Sequence, residues 1–137
     1  MCALNRQRAI REGEERGVPN DLHVEYYSKR GADAALIHTE ASFVAPDGDA
    51  FPGATGFCHK NQMEPWKKVV DVVHKNGGIF FAQLYHAGRA AHPDHIDGVT
   101  PMAPSAIKIN DYVWVGTEKK PLEVPRAMTK DDIKRVI

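Results

Sequence analysis

The chain has 137 residues, of which 42% are hydrophobic and 26% charged, the balance of one ordinary globular domain. Eighteen Lys+Arg against 18 Asp+Glu give a net charge of zero, so no global field favours nucleic acid or an anionic membrane. No apolar stretch approaches the ~20 residues that span a bilayer, the opening MCALNRQRAI has no signal-peptide apolar core, and Cys2 and Cys58 are too few for a disulfide framework, so two reduced thiols in a cytoplasmic protein are expected.

Residues 1–4 (MCAL) read as the tail of a strand, followed by a polar, Gly-containing loop from Asn5 to Val18. Pro19–Asn20 opens a helix, PNDLHVEYYSKRG, with acid near its start, Lys29 and Arg30 in its last turn and Gly31 as C-terminal cap. That is the charge order the helix dipole favours. AALIHTE (34–40) is a short apolar run without helical period, the pattern of a buried strand. A loop rich in Gly, Pro and Asp covers 41–59. NQMEPWKKVVDVVHKNGG (61–78) is the clearest helix, with Met63, Trp66, Val70 and Val73 spaced by three and four and Val69 widening the stripe. Pro65 is tolerable only in its first turn, and Gly77–Gly78 end it. IFFAQLY (79–85) is the next strand. A long irregular stretch, His86 to Ala127, contains DYVWVG and PLEVP, which alternate like a small hairpin. Thr129 then caps a last helix, TKDDIKRVI, with Asp131 and Asp132 in its first turn.

Strands alternating with helices imply an α/β fold with a parallel sheet and right-handed crossovers. The loops after the strands are long, at about 14, 19 and 42 residues, whereas the turns after the first two helices are short; this asymmetry marks a (β/α)8 barrel, whose chemistry sits at the C-terminal face of the strands. A doubly wound sheet is the alternative, although NRQRAIREGEERG is not its Gly-rich turn. A barrel needs ~250 residues. Only its first three βα units are expected here, an incomplete barrel cut inside the third helix.

Several segments resemble the Old Yellow Enzyme family of FMN-dependent NAD(P)H oxidoreductases, which includes the 12-oxophytodienoate reductases. ALNRQRA is similar to the family's first-strand run, VPNDLHVEYYSKRG to its first helix and LIHTEA to its second strand. FPGATGF, the helix 61–78, FAQLYHAGRAAH, PMAPSAI and PRAMTKDDI match later landmarks in order. The resemblance covers essentially the whole chain and implies an N-terminal part, residues 1–137, of an FMN-binding TIM-barrel oxidoreductase domain.

A flavin needs donors and an acceptor along its pyrimidine edge and a flat platform, while it performs the hydride chemistry itself. Gln83, at the end of the third strand, carries an amide that offers both, and the family uses the matching Gln for that edge. Asn5 stands where the family commonly has a Thr that contacts the ring; its amide still donates. The resemblance places Ala3 and Leu4 beside the flavin through backbone and Ala41 at a small position under the ring, with Cys2 packed nearby. Phe51 and Tyr85 replace a common Tyr and Trp of the family and are expected as walls of the substrate pocket. His86, His92, Asp94 and His95 cluster, but H-x5-H-x2-H fits no metal motif, Pro93 breaks any helix between them, and no metal is expected. Arg89 is expected to bond loop carbonyls. Glu40 is a candidate for the same structural purpose beneath the flavin site.

In the family a His/Asn or His/His pair on a later strand binds the substrate carbonyl, a Tyr donates a proton, and the last loops hold the FMN phosphate. Nothing after Arg126 resembles that pair, so the catalytic residues are expected beyond Ile137. The resemblance implies an NAD(P)H-driven ene-reductase acting on the C=C bond of a small α,β-unsaturated carbonyl compound. The alternative is a truncated, non-catalytic barrel remnant that serves only as a binding or assembly module. An open sheet of this kind implies a partner chain or a missing C-terminal segment.

Overall fold

The computed structural model describes residues 4–137. Cys2 and Ala3 lie outside the described residues, and Leu4 sits in irregular chain. The chain divides into two compact units; the first runs to Phe43 and resumes over Pro52–Tyr85, and the second comprises Val44–Phe51 and His86–Ile137.

In chain order the first unit carries α1 (Asp21–Gly31), β1 (Leu36–His38), β2 (Ser42–Phe43), β3 (Thr55–Gly56), α2 (Lys60–Lys75), β4 (Ile79–Phe81) and β5 (Leu84–Tyr85). Asn20 caps α1: its Oδ1 accepts the Leu22 N–H at 3.1 Å, and its own N–H donates to His23 Nδ1 at 3.0 Å. His23, Tyr27 and Gly31 form the buried face. Gly31 is not the left-handed cap that the sequence suggests. It is the last helical residue, and its missing side chain lets α1 approach α2: a Cβ there would lie 3.2 Å from both Val73 Cα and Asn76 Cβ.

The α2 stripe keeps Trp66, Val69 and Val73 as expected but begins one residue earlier. Gln62, Trp66, Val69 and Val73 are buried, whereas Met63 is 42% exposed. Gln62 takes the inward position because both ends of its amide are hydrogen-bonded there. Its Oε1 accepts the N–H groups of Cys58 and His59 at 2.9 and 3.0 Å, and its Nε2 donates to the Arg16 carbonyl at 2.9 Å. The helix starts at Lys60, so Pro65 is its sixth residue rather than a first-turn residue. At the other end Gly77 (φ +83°) takes the left-handed cap, with Gly78 N–H donating to Val73 O and Gly77 N–H to His74 O. Tyr27, Ile37, Trp66, Val69 and Val73 form the core; each side chain of this size contributes roughly 1.5–3 kcal/mol on burial. Trp66 stacks on Phe57 at 4.8 Å, and Tyr27 meets Phe80 edge-on at 5.1 Å.

β1 pairs in parallel with β4, Leu36 opposite Ile79 through His38 opposite Phe81. β2 pairs in parallel with β5, Ser42 opposite Leu84 and Phe43 opposite Tyr85, and with β3 on its other side. Between these runs residues 39–41 stand against residues 82–83, three against two, so the ladder carries a one-residue bulge. The expected strand over 34–40 is therefore shorter and continues, after the bulge, as β2. Among the described residues there is one complete strand–helix–strand unit of this kind and no closed barrel; the expected count of three βα units is not reproduced.

The second unit carries β6 (Met102–Ala103), β7 (Tyr112–Val115), β8 (Glu118–Pro121), β9 (Arg126–Ala127) and α3 (Lys130–Val136). β6 and β9 pair in parallel, and β7 and β8 form an antiparallel hairpin. The hairpin turns at Gly116–Thr117, where Gly116 supplies the positive φ of +59° that a two-residue turn needs. Its second strand is thus EKKP rather than the expected PLEVP, because the turn chemistry sits earlier in the chain. Thr129 caps α3: its Oγ1 accepts the Asp132 N–H at 3.1 Å, and Asp132 Oδ2 accepts the Thr129 N–H at 2.8 Å. Arg126 grips the Asp132 carboxylate at 2.6 and 2.7 Å, and with the Thr129 bonds this holds the acid well below the usual carboxylate range. Arg135 on α3 grips Asp47 at 2.6 and 3.1 Å. Burial pushes the Asp47 carboxyl up, but the Arg135 hydrogen bonds and charge outweigh it and leave it below its ordinary value.

Two measurements check this packing. A helical Gly→Ala change ordinarily stabilises by roughly 0.4–1 kcal/mol. Gly31→Ala is expected to destabilise instead, by about 1 kcal/mol in urea titration, because the added methyl overpacks the α1–α2 contact; a stabilised variant would contradict the close approach. Asp47 and Asp132 have lowered pKa values when folded, so their stabilisation is complete above the ordinary carboxylate range and is lost as pH falls through the folded values. The melting temperature of wild type is expected to drop more between about pH 5 and pH 2 than that of Asp47→Asn; equal drops would show the Arg135 tie to be energetically silent.

Candidate functional site

The bulge organises the residues that the sequence singles out in the first unit. Inserting a residue orphans ladder groups, and here side chains from elsewhere satisfy them. The Thr39 N–H donates to Phe81 O at 2.8 Å, and the Ser42 N–H to Gln83 O at 2.9 Å. The Gln83 N–H donates to Thr39 Oγ1 at 2.9 Å. The Glu40 N–H donates to the Tyr27 hydroxyl at 2.6 Å, and the Glu40 carbonyl accepts from Ser42 Oγ at 3.0 Å. Ser42 Oγ also lies 2.6 Å from Thr55 Oγ1, which ties β2 to β3.

Asn5 joins this seam. Its Nδ2 donates to the Ala41 carbonyl at 3.1 Å, and its Oδ1 accepts the Gln7 N–H at 2.8 Å. The second bond holds Gln7 at φ +52°, a left-handed conformation that few side-chain-bearing residues adopt. Asn5, Ala41 and Gln83 are thus brought together through one run of hydrogen bonds across three chain segments. Leu4 precedes Asn5 and is 79% exposed. Ala3 lies outside the described residues. Tyr85 ends β5, half-buried, in the same unit. Phe51 belongs to the second unit, half-buried, with its N–H donating to Asp49 Oδ1 at 3.2 Å.

Glu40 is buried, and its Oε1 lies 3.7 Å from His23 Nε2, beyond hydrogen-bond reach. His23 Nδ1 lies within hydrogen-bond distance of both the Asn20 N–H and Asn20 Oδ1, so the ring is held with Nε2 facing this acid. Glu40 and His23 form the inner wall of a cavity of about 530 Å³ whose mouth carries Arg6, Arg8 and Arg30. Tyr27, Thr39 and Ser42 were not singled out by sequence. The signal for them lies in Thr-Glu-Ala-Ser, a polar break at residues 39–42 inside an otherwise apolar strand.

In the second unit the histidines serve the loops. His86 Nδ1 accepts the Gly88 N–H at 3.0 Å, while its Nε2 is 3.7 Å from Asp47. Burial pushes His86 below its ordinary value, Asp47 opposes this, and Arg135 adds to it. His92 Nδ1 accepts the Asp94 N–H at 3.2 Å, and Asp94 pairs with Lys120 at 2.7 Å. Arg89 donates to the Ile107 carbonyl at 3.4 Å, a loop tie as expected. Among the described residues no three His, Cys, Asp or Glu side chains are grouped to hold a metal ion.

Comparison with known proteins gives this geometry its context. A family model described as NADH:flavin oxidoreductase / NADH oxidase matches residues 5–137. The flavin oxidoreductase hxnT of Emericella nidulans is 40% identical over 137 residues, all of this chain and 35% of that protein. A probable flavin mononucleotide-dependent alkene reductase of Leishmania infantum is 35% identical over 97% of this chain and 37% of its own length. The solved structure of the old yellow enzyme homologue from Zymomonas mobilis superimposes with a TM-score of 0.87 at 38% identity, over 98% of this chain and 36% of that one. The chain therefore spans about a third of the relatives it matches. The superposition decides against the doubly wound sheet and for a segment of the (β/α)8 TIM-barrel fold. The chain belongs to the NADH:flavin oxidoreductase / NADH oxidase family, the FMN-dependent oxidoreductases that include the Old Yellow Enzymes.

Proposed function

We propose that residues 1–137 are the N-terminal part of an FMN-binding barrel domain whose activity is the NAD(P)H-driven reduction of the C=C bond of small α,β-unsaturated carbonyl compounds. The observation that carries this reading is the seam joining Asn5, Ala41 and Gln83 at the strand ends, in a chain matched to the family over residues 5–137. These residues fit the flavin. Gln83 offers an amide donor and acceptor for the pyrimidine edge. Asn5 keeps a second Nδ2 proton beyond the one given to Ala41. Ala41 keeps the floor beneath a ring small, and Ala3 and Leu4 would pass beside it as backbone. When bound, FMN supplies the hydride chemistry; these side chains would hold and orient its ring. Phe51 and Tyr85 would wall the substrate pocket, the first without a hydroxyl and the second with one. The groups that bind the substrate carbonyl, donate the proton and grip the phosphate belong, on this reading, to the part of the relatives that this chain does not span.

The alkene-reductase name of the Leishmania relative supports the substrate class. No helix of the described residues is long and apolar enough to cross a membrane; a cytoplasmic location rests on a cysteine content too low for a disulfide framework. No observation favours the non-catalytic remnant, and a partner chain has only the open sheet face behind it.

Titration of the full chain with FMN, followed by flavin fluorescence, is expected to show saturable binding at one site. Gln83→Leu, which keeps the volume and removes both hydrogen-bonding groups, is expected to weaken that binding by about tenfold or more. A wild type without FMN affinity, or a Gln83→Leu variant with unchanged affinity, would sink this reading.

A further inference from the structure

We infer that the Tyr27 hydroxyl is a positioning residue for the flavin seam, holding Ala41 and Gln83 in place through the bulge without touching the cofactor. The inference rests on the flavin reading above for its consequence, but its structural claim stands on the hydrogen bonds alone. Residues 39–41 face residues 82–83, so the strands cannot satisfy every one of each other's backbone groups across this gap. Two side-chain hydroxyls receive the backbone N–H groups that the mismatch leaves over. Thr39 Oγ1 takes the Gln83 N–H at 2.9 Å, and the Tyr27 hydroxyl takes the Glu40 N–H at 2.6 Å.

Tyr27 is the one with leverage. Thr39 acts within the ladder, whereas Tyr27 reaches in from α1 and ties the bulge to the helix layer. Its ring is fully buried and fixed from three sides, edge-on to Tyr26 and Phe80 at 5.1 Å and tilted against Trp66 at 6.3 Å. The hydroxyl therefore cannot follow a shift of the strand. Glu40 precedes Ala41 directly, and the Ala41 carbonyl receives Asn5. A displaced Glu40 amide would carry Ala41 and its Asn5 tie with it, and through the Ser42 N–H the Gln83 carbonyl. Burial pushes the Tyr27 phenol above its ordinary value, so the hydroxyl keeps its proton while it accepts from this amide.

The test compares four variants of the full chain: Tyr27→Phe and Thr39→Val, which each delete one acceptor; Thr39→Ser, which keeps it; and Asn76→Ala, which deletes a bond to the Ser28 carbonyl at 3.0 Å in the same unit, away from the bulge. The readouts are the backbone amide resonances of Ala41 and Gln83 without flavin, the melting temperature, and FMN affinity. Tyr27→Phe and Thr39→Val are expected to shift both resonances and to weaken FMN binding about tenfold. Thr39→Ser is expected to restore both readouts. Asn76→Ala is expected to lower the melting temperature while leaving the Gln83 resonance and FMN affinity near wild type. Unmoved Ala41 and Gln83 resonances in Tyr27→Phe would overturn the inference, as would FMN losses that simply follow the melting temperature across all four variants. A wild type that binds no FMN would sink the flavin reading instead, and the resonances alone would then decide the positioning claim.

Discussion

The first unit is organised around a mismatch: three residues must be accommodated opposite two in a parallel ladder. A buried backbone donor left without a partner costs roughly 1–3 kcal/mol, and residues 39, 40 and 42 are all buried. The mismatch therefore dictates which side chains surround it. A hydroxyl must stand at position 39 for Gln83, a long side chain ending in oxygen must reach Glu40 from α1, and a small hydroxyl at 42 must turn back on the Glu40 carbonyl. Tyr27, Thr39 and Ser42 meet these demands, and Asn5 meets the remaining one at Ala41. A bulge also re-aims the residues after it. Here it shifts the inside–outside phase of the strand just where Ala41 and Gln83 lie.

The same unit shows a sheet covered on one side. Ile37 and Phe80 face the helices and belong to the core or pack against it. Leu36, Ile79, Phe81 and Leu84 stand 39–60% exposed. Parallel sheets are ordinarily buried on both faces, because their connections place cover over them. In a barrel the second face is the interior, filled by side chains of the other strands. The apolar character of the open face is thus the part of this chain that makes sense only in the closed architecture of its relatives.

How much of this was legible depends on which forces left a mark in the residue pattern. Helix 61–78 and its glycine stop are visible because apolar period and left-handed caps are local signals, and Thr129 with Asp132 announces the last helix in the same way. The inward place of Gln62 leaves no such local mark. Hydrophobic periodicity ranks Met63 above it, but the three hydrogen bonds available at the inward position reverse the order. Gly31 read as a cap because a glycine after Lys29 and Arg30 usually is one; its real constraint is distance to α2, which no local pattern encodes. The bulge was hidden because register is a relation between two strands. Only the polar residues 39–42 hinted at it.

The amide at position 5 joins these threads. A hydroxyl at that place, as in the family's usual Thr, has a single proton to give. On the flavin reading proposed above, the Ala41 carbonyl and the flavin edge would then compete for it. Asparagine has two protons on Nδ2 and an acceptor besides, and this chain engages one proton on Ala41 and the acceptor on Gln7. Both bonds fix the amide plane, so its remaining proton has a defined direction before any ligand arrives. Such pre-organisation lowers the ordering cost of binding a carbonyl oxygen. Asparagine at position 5 thus holds this seam together through both of its polar ends.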